Sequence, residues 1–187
     1  MPRLRRPLFG PPWALALAVA ASGGCSRPSL PDRLWLEGTR LEKAKDWSAE
    51  EISSVVFVVP GETLPSASLQ VAVLMSRKHA SAAELNRWIM HHYRESPTIR
   101  WGESTTEDEA CKVGMNFHGE MRPFVALHMC RAARGVAVCA EVDKRLADVD
   151  VQRCKGVSAE CWEEFCAERW ETTRTNLERI LDEVLKR

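Results

Sequence analysis

The chain has 187 residues, 45% hydrophobic and 28% charged, with 26 basic and 26 acidic side chains that cancel. Both signs are mixed along its length. That argues against a clustered basic face for nucleic acid and against a basic amphipathic helix lying on a membrane. Seven cysteines, an odd number, are the more informative count.

In chain order, Arg3, Arg5 and Arg6 come first, then the apolar run Trp13 to Ala21, then Ser22-Gly23-Gly24 and Cys25. A basic start, a short apolar segment and a small-residue cleavage site define a secretory signal. The run is much shorter than the roughly 20 residues a spanning helix needs. Gly23, Gly24 and Cys25 resemble the lipobox of bacterial lipoproteins, with Ser22 where Leu is usual. The resemblance implies cleavage before Cys25 and lipid attachment to its thiol. With Ser26 in the next position, it also implies the periplasmic face of an outer membrane. The alternative is a plain secreted protein cut near Ala21 or Gly24. We therefore divide the chain into a signal peptide (1–24), a lipid-anchored tether (25–33) and one domain (34–187). The mature chain carries 23 basic and 26 acidic side chains, a net charge of −3.

The stretch from Leu34 to Trp47 reads as a helical turn or two. Ile52 to Val59, rich in β-branched residues and stopped by Pro60-Gly61, reads as a strand. Leu69, Val71, Val73 and Met75 alternate with polar residues as a second strand. Ser81-Ala-Ala-Glu84 is a capping box opening a helix with Leu85, Trp88, Ile89 and His92 on one face, which should end before Pro97. Cys111 to Phe117, Val125 to Met129 and Val138 to Val142 alternate as three more strands. Ser158 is a cap for a final helix whose stripe runs through Trp162, Cys166, Trp170, Thr173, Leu177, Ile180, Leu181 and Val184.

The expected fold is α+β, an antiparallel sheet of about five strands with covering helices in the order ββαβββα. Over residues 50–186 this order resembles PsbP/Mog1-like proteins. The likeness is of fold alone and assigns no function.

Six cysteines remain beside Cys25: Cys111, Cys130, Cys139, Cys154, Cys161 and Cys166. An even number in an exported chain predicts disulfides. With Arg134-Gly135 as a two-residue hairpin loop, Cys130 falls opposite Cys139. Leu127 then faces Val142, Met129 faces Ala140, and His128 faces Glu141. Cys111 shares the buried parity of Val113, so its partner should lie on a covering helix, Cys161 or Cys166. Cys154 takes whichever remains.

No catalytic motif emerges, and no cofactor or metal site is expected. Cys161-x4-Cys166 lacks the second pair of a zinc site, and His91-His92 are adjacent on a helix and diverge. His118 and His128 lie on the polar side of the sheet near Glu141, where a general base is conceivable. The segment Glu103 to Glu109 reads as an acidic loop. The functional expectation is a lipid-anchored cell-envelope protein acting as a non-catalytic binding or scaffold module. Its partners would be the membrane, through the lipid on Cys25, and an envelope protein, with no nucleic acid. The alternatives are an extracytoplasmic hydrolase-like enzyme and an inhibitor or immunity protein against a cell-wall hydrolase.

Overall fold

The computed structural model describes residues 33–186, apart from 50, 97, 98, 118, 119 and 155–158. Cys25, His118 and Ser158 lie outside the described residues. Eight strands form one antiparallel sheet: β1 Arg33–Leu36, β2 Thr39–Ala49, β3 Ile52–Val58, β4 Leu69–Ser76, β5 Ile99–Thr105, β6 Glu109–Phe117, β7 Glu120–Ala133 and β8 Val136–Arg145. Helix α1 spans Ala82–Glu95, α2 Asp148–Cys154 and α3 Ala159–Lys186. The spatial strand order is β1-β2-β3-β4-β8-β7-β6-β5. Two four-stranded meanders thus meet where β4 pairs with β8, and α1 carries the chain from that seam to the far edge.

This corrects the expected five-strand ββαβββα order. The segment beginning at Leu34 is a hairpin and not a helix. Leu34 and Leu36 are buried while Arg33 and Trp35, alternating with them, are exposed, a period of two. Glu37 and Gly38 both take positive φ, 49° and 77°, the backbone of a two-residue hairpin loop. Strand β5 escaped the sequence reading because its register slips between Arg100 and Gly102 and breaks the alternation. The supposed loop from Glu103 to Glu109 is mostly strand, the end of β5 and the start of β6. The element order that suggested the PsbP/Mog1-like arrangement is therefore not the one observed.

The two sheet faces are covered differently. On one face, Leu34, Leu41, Val55, Phe57, Val71, Val73, Val113, Val125, Leu127 and Val142 form the main core against Trp162, Phe165, Leu177, Ile180, Leu181 and Val184 of α3. The opposite face is covered by α1, which lies over β7 and β8. Ser81 Oγ caps α1 by accepting from Glu84 N–H, and Glu84 Oε2 accepts from Ala80 N–H. The buried side of α1 carries Leu85, Asn86, Met90 and Tyr93. Of the expected face, Leu85 is buried and Trp88 and Ile89 pack partly buried beside it, while His92 is exposed with its ring 4.1 Å from that of Trp88.

At the β5 bulge, a Cβ built on Gly102 would lie 2.6 Å from Trp162 Cβ. The absence of a side chain there lets α3 approach the sheet edge. Gly102→Ala should push α3 outward and cost about 1–3 kcal/mol as an overpacking change, read as a lower urea midpoint with an unchanged slope.

Candidate functional site

The chemically richest part of the interior lies between α1 and strands β6–β8. The register sets His128 directly opposite Glu141. Lys112 lies across from Ala126, and Ala126 across from Asp143. The small Ala126 leaves room for the lysine chain to cross the sheet. Lys112 Nζ donates to Glu141 Oε2, and Arg122 Nη2 donates to Asp143 Oδ2 at 2.5 Å. Pairing is what makes such burial tolerable, since unpaired charges in the interior are costly.

Asn86 connects this cluster to α1 and to the β5–β6 turn. Its Nδ2 donates to the carbonyls of Thr106 and Glu107, at 3.1 and 3.2 Å. That leaves its Oδ1 as the acceptor facing His128 Nε2 at 2.5 Å. The neutral imidazole must therefore carry its hydrogen on Nε2. Nδ1 faces Glu141 Oε2 at 3.3 Å.

Burial holds the His128 pKa below its ordinary value against the pull of Glu141, and the Lys112 charge adds to the lowering. Burial alone would raise Glu141, but the Lys112 ammonium reverses this and holds that carboxyl well below the usual range. Asp143 is pushed up to about 7 by desolvation, with Arg122 opposing. Tyr93 is pushed up to about 12 by burial, then by Glu103, and Lys112 Nζ lies 5.3 Å from its ring centre. His128 is fully sealed from solvent and directed at partners within the protein. The cluster positions α1, and a substrate has no route to the imidazole.

A shallow groove of about 220 Å³ opens on the other face, between the β5–β6 hairpin and α3. It is lined by Ser104, Thr106, Glu109, Cys166 and Trp170 among others. Burial raises the Glu109 pKa, while Arg174, 3.2 Å away, opposes this. The volume falls below the roughly 300–1,000 Å³ typical of small-molecule sites. This carboxylate already has a cationic partner within the chain.

Three disulfides cross the structure: Cys111–Cys166, Cys130–Cys139 and Cys154–Cys161, with Cα separations of 5.9, 4.0 and 5.7 Å. Cys130 and Cys139 are opposed across the β7–β8 hairpin, whose loop is Arg134-Gly135 with φ of 54° and 76°. Cys166, not Cys161, joins Cys111, tying β6 to α3. Cys154 and Cys161 join α2 to the first turns of α3. His91 and His92 sit on α1, with His91 Nε2 3.3 Å from Glu95.

The opposition of His128 and Glu141 was readable from the hairpin register. Lys112, Asn86, Arg122, Asp143 and Tyr93 were missed as its companions. Lys112, Glu141 and Asp143 on one sheet face were the available signal, together with an asparagine on the helix that crosses it. Among the described residues no three His, Cys, Asp or Glu side chains are grouped as a metal site requires. No described helix is long and apolar enough to cross a membrane. No protein-family model, no curated protein and no solved structure matches the chain.

Two measurements test these assignments. Glu141 has a folded pKa below the unfolded value of about 4.3. Its contribution is thus fully present above that pH and lost as pH falls toward the folded value. Unfolding free energy should therefore fall more steeply with acidification below about pH 4 in the natural chain than in Glu141→Gln, as measured by urea titrations across a pH series. Among the disulfides, Cys111–Cys166 closes the longest loop, 55 residues against 9 and 7. Removing it as a Cys→Ala pair should cost most, about 4 kcal/mol against about 2.5 for either short loop, read by chemical denaturation.

Proposed function

We propose that this chain is exported, anchored to a membrane by a lipid on Cys25, and acts outside the cytoplasm as a non-catalytic binding or scaffold module. The observation that carries the reading is the fate of the cysteines. Six are joined in pairs, and the seventh is the residue that follows the apolar leader and Ser22-Gly23-Gly24. Disulfides persist in oxidising compartments, which is where such a leader delivers a chain. The odd cysteine is then the lipid acceptor.

The non-catalytic part rests on how the polar side chains are used. His128 and Glu141, the residues best suited to acid–base work, are turned toward Asn86 and Lys112 inside the domain. What the domain offers its surroundings is surface: the groove beside Glu109 and the exposed rings of Trp35 and Trp47, 58% and 45% accessible.

Metabolic labelling with a clickable palmitate analogue tests the anchor. The full-length chain should take up label and fractionate with membranes, and Cys25→Ala should lose both. A labelled Cys25→Ala variant, or an unlabelled natural chain free in the periplasm, would refute it.

A further inference from the structure

We propose that the exposed part of the β1–β3 face, carrying Trp35 and Trp47, lies against the anionic lipid surface to which Cys25 tethers the chain. This deepens the anchored reading and rests on it. Three observations converge on that face.

The first is direction. The cross-strand pairs Trp35–Arg40, Lys45–Val56 and Trp47–Ser54 place these side chains on the sheet face opposite the one carrying Leu34, Leu41, Val55 and Phe57. Helix α1 covers this same side over β7 and β8, and on the β1–β3 part Val58 is buried while the side chains toward either end stand exposed. Trp35 and Trp47 are two of the four exposed large hydrophobic residues among those described. From Arg40 to Trp47 the strand rises about 20 Å, so the two indoles mark the ends of a broad contact. An indole, apolar in body with one N–H donor, is the side chain best suited to the headgroup boundary.

The second is charge. Arg33, Arg40 and Lys45 share this face with one acid, Glu42, which pairs with Arg40 at 2.8 Å. The mature chain is acidic overall, yet this face is basic, as attraction to anionic headgroups requires. On the other side of β2, Lys43 is matched by Asp46 at 3.3 Å.

The third is reach. Strand β1 begins at Arg33, eight residues after Cys25. At no more than about 3.6 Å per residue, that span covers less than about 30 Å. The β1 edge therefore stays within roughly a domain diameter of the acyl chains, and a rotation of the domain brings its basic, indole-bearing face onto the bilayer.

The test uses the full chain extracted from membranes and returned to vesicles of phosphatidylethanolamine and phosphatidylglycerol with acyl chains brominated near the headgroups. Bromine quenches only tryptophans that touch the boundary. The natural protein should show quenching that is mostly lost in Trp35→Phe with Trp47→Phe. It should also fall in Arg33→Glu with Lys45→Glu, and in vesicles of phosphatidylcholine alone. Equal quenching in the natural chain and the double Phe variant would overturn the proposal. So would light scattering that shows a dimer dissociated by Trp35→Ser, which would assign the face to a second copy. Mass spectrometry of the same sample reads the anchor separately. An acylated Cys25 without tryptophan-dependent quenching refutes the docking alone. Quenching with an unmodified Cys25 keeps the docking and refutes the anchor.

Discussion

Lys112 carries a cation to the covered side of the sheet, and the arrangement above it follows from the need to neutralise that charge without water. Glu141 takes the charge, and Ala126 vacates the path. His128, its Nδ1 3.3 Å from the same carboxylate, presents its one hydrogen to Asn86. Asn86 in turn spends its amide on two backbone carbonyls of the β5–β6 turn. A helix, three strands and a turn are tied by one run of polar contacts, from Lys112 through Glu141, His128 and Asn86 to the β5–β6 turn. Such networks specify a single arrangement when complete and cost heavily when broken. Here they set the rotation of α1, which turns Asn86, Met90 and Tyr93 inward and leaves Trp88 at the margin.

The opposite face works by other means. There α3 supplies Leu177, Ile180, Leu181 and Val184 to a continuous apolar core, where volume matters more than direction. The cysteines divide the labour between the two sides. Cys111–Cys166 and Cys154–Cys161 bind the ends of α3 and α2 into the apolar layer, while Cys130–Cys139 staples the hairpin beneath α1. The faces therefore differ in kind: one is packed, the other wired and only partly covered.

Much of the second meander could be read from the chain alone. Alternation in Val125 to Met129 and in Val138 to Val142, with Arg134-Gly135 as the loop between them, sufficed to set the β7–β8 register and to oppose His128 with Glu141. The first hairpin was missed although it carried the same kind of signal. Leu34-Trp35-Leu36 is too brief a run to outweigh the charged residues around it, and Glu-Gly is a weaker loop signal than Asn-Gly. Strand β5 left no alternation to find, because its bulge at Trp101 and its position at the sheet edge relax the constraint that makes faces legible. The polar cluster was hidden for a related reason. An outward lysine and a buried, paired one look alike in sequence until the helix that covers it is placed.

The join between β4 and β8 has a bearing on biosynthesis. The ribosome completes the first meander long before it makes the strand that borders it. In the interval β4 presents a bare row of amide and carbonyl groups beside Val71, Val73 and Met75. Such an edge invites pairing with any extended neighbour. In the finished sheet that edge of β4 is closed by residues 136–145, the last strand of the chain to be made. A holding chaperone, or rapid delivery of the second half, is what this topology asks of the cell that makes it.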